Sequence, residues 1–133
     1  MQCKKCGEEI DRYPCPSCGH IEFGILQLEG SQGRTRMTIS TVVGKRNLFG
    51  VLSPDEKNCF AESQFWIYKS ETAGGWTLIP CPGTPNDTSI NGSPAPASTE
   101  TPISNGDVIA VSSKRDSSIV RGQLTVSILN AES

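Results

Sequence analysis

The sequence predicts an all-β domain, a sandwich or barrel, behind a short N-terminal appendage with no core of its own. Three observations lead there. From Ile21 onward, short runs alternate apolar and polar residues with period two and are rich in β-branched and aromatic side chains. Clusters of Gly, Pro, Ser, Thr and Asn punctuate these runs, and helix signals are nearly absent. Residues 1–20 contain almost no apolar side chains beyond Ile10 and Tyr13, so they cannot bury enough surface to fold unaided. A length of 133 residues suits one ordinary domain, here 21–133, plus that appendage, 1–20.

The appendage carries Cys3-Lys-Lys-Cys6-Gly7 and Cys15-Pro-Ser-Cys18-Gly19. Each unit sets two thiolates two residues apart and then a glycine, which can take positive φ and turn backbone N–H groups back toward the sulfurs. Cys3, Cys6, Cys15 and Cys18 together supply four soft ligands, the number that closes a tetrahedral Zn²⁺ site. One structural Zn²⁺ per chain is therefore expected to replace the missing core. Iron in a rubredoxin-like knuckle and redox-active Cys-x-x-Cys pairs are the competing readings. The redox pair lacks the helix start in a βαβ setting that normally lowers its thiol pKa. His20 follows the second knuckle directly, but four cysteines already fill the site. It reads as an exposed histidine or one behind the ligands.

Strands are expected over 23–29, 36–41, 65–70, 76–80, 107–112 and 124–128, from the alternation of apolar with polar residues in each. Gly74-Gly75 predicts a hairpin turn before 76–80, and Asn91-Gly92 and Asn105-Gly106 predict two more tight turns. Residues 81–106, rich in Pro, Ser, Thr, Asn and Gly, read as long loops inside the β domain, because a strand signal resumes at Asp107. Asp107 is expected to brace its turn. Asp55-Glu56-Lys57 reads as a solvated loop. Trp66 and Trp76 read as core or sheet-face aromatics, and Cys59 and Cys81 as buried or incidental thiols. Asn86-Asp-Thr88 and Asn91-Gly-Ser93 match the glycosylation pattern but read as turn chemistry.

A net charge of −2 and a pI near 5.4 offer no basic excess for nucleic acid. No apolar run of membrane-spanning length occurs, and residues 1–20 show no secretory h-region. With the unpaired thiols, this predicts a cytoplasmic protein. A single histidine and no nucleophile–base pattern leave little for catalysis, so no enzymatic activity is expected.

Taken in order, the segments after residue 24 resemble a forkhead-associated (FHA) domain. Val42-Val43-Gly44-Lys45-Arg46 stands where the family has a strand ending in Gly-Arg. Ala61-Glu62-Ser63-Gln64-Phe65-Trp66-Ile67 stands at its Ser-Arg-x-His and following strand. Gly75-Trp76-Thr77-Leu78 matches the next strand. Thr84-Pro85-Asn86-Asp87-Thr88-Ser89-Ile90-Asn91-Gly92 mirrors the Ser-Thr-Asn-Gly-Thr-x-x-Asn-Gly loop. Ile103-Ser104-Asn105-Gly106-Asp107-Val108-Ile109 mirrors the Leu-x-x-Gly-Asp-x-Ile signature.

The resemblance implies a β-sandwich of about eleven strands that binds phosphothreonine peptides through loops at one end. It assigns Lys45, with Arg46 beside it, to the phosphate-binding cation. Asn86 takes the position that holds the peptide backbone, and Thr88, Asn91 and Gly92 shape the loop. Besides Lys45 in the arginine's place, three departures fall on the phosphate-binding and bracing positions. Ala61 replaces the phosphate-binding serine, with Ser63 the nearby hydroxyl. Gln64 replaces the histidine that braces the site, so that brace is expected to be lost or moved. Pro85 replaces the threonine before the asparagine. The expected function is a non-enzymatic, prokaryotic-type signalling adaptor whose sandwich binds a partner protein, through a threonine phosphorylated by a Ser/Thr kinase. The alternative is a phosphate-independent interaction scaffold that docks through its zinc ribbon.

Overall fold

The computed structural model describes residues 2–11, 15–20, 23–70, 72–116 and 118–129. Tyr13 lies outside them. Ten strands occur among the described residues, one short of the number the resemblance implies. They are β1 (Ile25–Glu29), β2 (Arg34–Met37), β3 (Thr41–Val43), β4 (Phe65–Ser70), β5 (Gly75–Pro80), β6 (Asp87–Ile90), β7 (Ser93–Pro94), β8 (Thr101–Pro102), β9 (Val108–Ser112) and β10 (Val120–Leu129). They form a six-stranded sheet, β2-β1-β10-β9-β6-β7, and a four-stranded sheet, β3-β4-β5-β8. Every pairing is antiparallel.

Period-two alternation decides which face each strand buries. Leu26 and Leu28 of β1, Leu124 and Val126 of β10, and Ile109 and Val111 of β9 point inward from the larger sheet. Val43, Phe65, Ile67, Trp76 and Leu78 meet them from the smaller one. Each such side chain contributes about 1.5–3 kcal/mol on full burial. The Trp76 ring is edge-on to Phe23, and its Nε1–H donates to the Phe23 carbonyl at 2.9 Å. Trp66 is on the opposite face of β4, 39 % exposed and stacked on Tyr68. One tryptophan is thus core and the other sheet face.

The expected strand across 36–41 is interrupted. β2 ends at Met37, Ile39 is exposed, and β3 belongs to the other sheet. Residues 38–40 carry the chain between sheets, held where the Ser40 hydroxyl accepts the Lys69 N–H at 3.0 Å. Alternation survives such a crossing by accident and cannot reveal it.

The expected loop at 55–57 is instead a one-turn helix, α1 (Pro54–Lys57). Ser53 and Glu56 form a reciprocal capping box, with Pro54 at the first helical position. The Ser31 hydroxyl donates to Glu56 at 2.5 Å, and the Ser31 and Ser53 hydroxyls hold the Glu56 carboxyl below the usual glutamate range. Ser53-Pro-Asp-Glu56 is a recognisable helix-start signature, and it is the signal that identifies this turn.

The turns fall as expected. β4 and β5 form a hairpin closed by the Gly74 N–H to the Ser70 carbonyl. Asn91 and Gly92 both take positive φ, 53° and 84°, which makes the β6–β7 connection a two-residue type I′ hairpin. Asp107 accepts from the Ser104 N–H at 2.9 Å and from the Asn91 side chain at 3.1 Å, bracing two turns at once. No helix among the described residues is long and apolar enough to cross a membrane.

Candidate binding end and metal centre

Three loops leave the same end of the sandwich. Val43, the last residue of β3, pairs with Phe65, the first of β4, and Phe65 pairs with Pro80, the last of β5. The segments 44–48, 61–64 and 81–86 are therefore neighbours by register. A short 3₁₀ helix (Lys45–Leu48) follows β3, with Lys45 half-buried and Arg46 exposed. Its start is fixed by the Asn47 side chain, which accepts the Gly44 N–H at 2.9 Å. The Lys45 N–H donates to the Ala61 carbonyl at 3.1 Å, tying the first loop to the second.

Gly44 makes that contact possible. A Cβ there would sit 1.8 Å from the Glu62 carbonyl oxygen and 2.4 Å from its carbon. The two backbones touch with no room for any side chain.

Gln64 ties the second loop to the third. It is fully buried. Its Oε1 accepts the Ala61 N–H at 2.9 Å, and its Nε2 donates to the Asn86 carbonyl and to the Thr88 hydroxyl, both at 3.0 Å. The Thr84 hydroxyl donates to the same Asn86 carbonyl at 2.8 Å. Gln64 thus makes a brace of its own: an amide offers one acceptor and two donors, and here all three are used.

Ser63 is exposed beside Gln64. Ala61 offers no hydroxyl, and Gln64 already takes its N–H. Asn86 is half-buried, with its amide donating to the Cys59 carbonyl at 2.9 Å. Thr88 is buried beneath the loop, where it helps to seat Gln64. Asn91 and Gly92 do not join this group. They follow Ile90 at the far end of β6, on the order of 15 Å along the strand from Asn86. The sequence reading placed Gln64 and Gly44 in the motif but missed the contacts they make. Only the register that brings three loops together shows what they do.

The two N-terminal knuckles are near-copies. Gly7 and Gly19 take φ of 79° and 77°, and their N–H groups return to the carbonyls of Cys3 and Cys15, each at 2.8 Å. Cys3, Cys15 and Ile10 are buried together, while Cys6 and Cys18 are exposed. The four sulfurs lie within 4.8 Å of one another, with Cys3–Cys18 and Cys6–Cys15 at 3.6 Å. A tetrahedral ion with metal–sulfur bonds of about 2.3 Å needs edges of about 3.8 Å, so the donor set fits. The Cys6 N–H pulls the Cys3 thiol down to about 6. The Glu8 N–H also favours the Cys6 thiolate, but lost hydration of the sulfur and donation to the neighbouring sulfurs outweigh it and hold that thiol at about 12. His20 takes part through its carbonyl, which accepts the Cys15 N–H at 2.9 Å. Cys59 and Cys81 are half-buried free thiols away from the four-cysteine cluster, and burial raises the Cys81 thiol.

No protein-family model matches the chain, and no curated protein matches it. Solved structures do. The FHA domain of an Arabidopsis thaliana hypothetical protein superposes with a TM-score of 0.61 at 16 % identity, covering 88 % of this chain and 98 % of that one. The N-terminal FHA domain of S. cerevisiae Rad53p, solved with a phosphothreonine peptide, gives 0.56 at 17 % identity, covering 78 % and 93 %. The β-sandwich of this chain therefore has the forkhead-associated fold.

Proposed function

We propose that this chain is a non-enzymatic signalling adaptor in which the sandwich, 21–133, captures a phosphothreonine segment of a partner phosphorylated by a Ser/Thr kinase. The observation that carries this reading is the lacing of three loops by Gln64 and Gly44, which gathers the segments bearing Lys45, Arg46, Ser63 and Asn86 at one end. A phosphate brings nearly two negative charges and three acceptor oxygens. Lys45 and Arg46 would supply the countercharge and Ser63 a hydroxyl. The Asn86 side chain keeps a second amide hydrogen and its Oδ1 for the partner backbone. The same fold in Rad53p holds a phosphothreonine peptide, which supports the reading.

Calorimetry with a phosphothreonine peptide library and its unphosphorylated twin tests it. Binding of the phosphorylated form alone is expected. Lys45→Ala with Arg46→Ala should weaken it by about two to four decades, since charge-assisted hydrogen bonds are worth roughly 1.5–3 kcal/mol each. Equal or absent binding of the twins would refute phosphate dependence.

Residues 1–20 act as a structural ribbon around one Zn²⁺ held by Cys3, Cys6, Cys15 and Cys18, which the reducing cytoplasm keeps available as thiols. The ion fixes two turns that otherwise share, among the described residues, a core of three buried side chains. Elemental analysis should find about one Zn per chain, and Cys3→Ser or Cys18→Ser should remove it while leaving the thermal transition of the sandwich in place. Iron with a visible absorption band would contradict the zinc assignment.

A second reading is favoured by one observation: Ala61 brings no hydroxyl, and its N–H is already taken. The sandwich is then a phosphate-independent scaffold, with the ribbon as its docking element. Replacing Cys15 would abolish partner capture, and Lys45→Ala with Arg46→Ala would leave it unchanged.

A further inference from the structure

The binding end carries an acid among its cations. Glu62 sits at the tip of the second loop, exposed, between Ala61 and the exposed Ser63. Its backbone is pinned against Gly44, the residue immediately before Lys45. Its side chain has no hydrogen bond or ion pair among the described residues, so a free carboxylate stands beside the loop that would meet the phosphate. The flanking groups of this loop are already engaged: the Ala61 N–H with Gln64, the Ala61 carbonyl with Lys45, and the Gln64 amide with Asn86 and Thr88. Glu62 and Ser63 are what remains to contact a partner there.

Resting on the phosphothreonine reading, we infer that Glu62 sets the specificity of this end, selecting partner segments with a lysine or arginine beside the phosphothreonine and rejecting those with an acid in that place. The phosphate satisfies Lys45 and Arg46. A second acid on the segment would face the Glu62 carboxylate, whereas a base would pair with it. Exposed charge pairs are worth little each, but exchanging a base for an acid reverses the sign and doubles the swing. Like-charge exclusion of this kind is how an interface separates related partners without losing its common anchor.

The test uses the full chain and phosphothreonine peptides identical except for one lysine or glutamate, scanned through the positions on either side of the phosphothreonine. At one position or more, lysine should bind about five- to tenfold tighter than glutamate. Glu62→Gln should flatten the difference, Glu62→Lys should invert it, and added salt should shrink it. Binding of all the phosphopeptides with no lysine preference, or a preference that survives Glu62→Lys, overturns this inference alone. Failure of every phosphopeptide to bind overturns it together with the phosphothreonine reading.

Discussion

Gly44→Ala should destabilise the sandwich by about 2–4 kcal/mol, a loss of on the order of 10–20 °C in Tm for a domain of this size. The backbone conformation is not the reason. At φ −156° and ψ −162°, Gly44 is extended, as any residue can be. Space is the reason: the new methyl would lie 1.8 Å from the Glu62 carbonyl oxygen and 2.8 Å from that of Ala61. Both neighbours are backbone, so the 61–62 segment must move, and it takes the Lys45–Ala61 hydrogen bond with it. Gly50→Ala is the control, because Gly50 has a left-handed φ of 73° and nothing within 4 Å. It should cost only about 1–2 kcal/mol of backbone strain. Denaturant melts of the two variants measure the contrast. Equal costs would mean that the two loops are not in contact.

Gln64→Leu should be comparably damaging, by about 2–4 kcal/mol, through a different cause. Leucine fills similar volume but leaves the Ala61 N–H without its acceptor and takes from the buried Thr88 hydroxyl the amide that donates to it, while that hydroxyl keeps its own donation to the main-chain carbonyl of residue 64 at 3.4 Å. The Asn86 carbonyl keeps its bond from Thr84 and suffers less. Amide hydrogen exchange at Ala61 should accelerate sharply, and phosphopeptide affinity should fall as the second and third loops separate. Gln64→His should recover part of both, since an imidazole can reach one donor and one acceptor. Unchanged exchange at Ala61 in Gln64→Leu would show that the brace does not hold the loop.

The sandwich was legible in the sequence wherever one face of a strand meets the core. Leu124 and Val126, and Phe65 and Ile67, announce their strands because burial on one side enforces period two. Turn chemistry was equally plain at Asn91-Gly92, where two consecutive positive φ values demand those residue types. The four-cysteine cluster was legible because its thiols are local, each pair set by one turn. What stayed hidden depends on tertiary register. Ile39 continues an alternation that the chain does not follow, and Gln64 is polar yet fully buried because its three partners come from segments up to 24 residues away. The short helix at Pro54 was hidden for another reason: one turn offers no periodicity, only a cap.

Chemical-shift perturbation by a phosphothreonine peptide on the labelled full chain tests the central claim most directly. Backbone amides at Lys45, Arg46, Ser63 and Asn86, with their neighbours in 44–48, 61–64 and 84–88, should shift together. Asn91 and Gly92 at the far end of β6 and the exposed Trp66 face should stay still. Shifts confined to residues 2–20, or to the face bearing Trp66 and Tyr68, would contradict the claim that this end of the sandwich binds the partner.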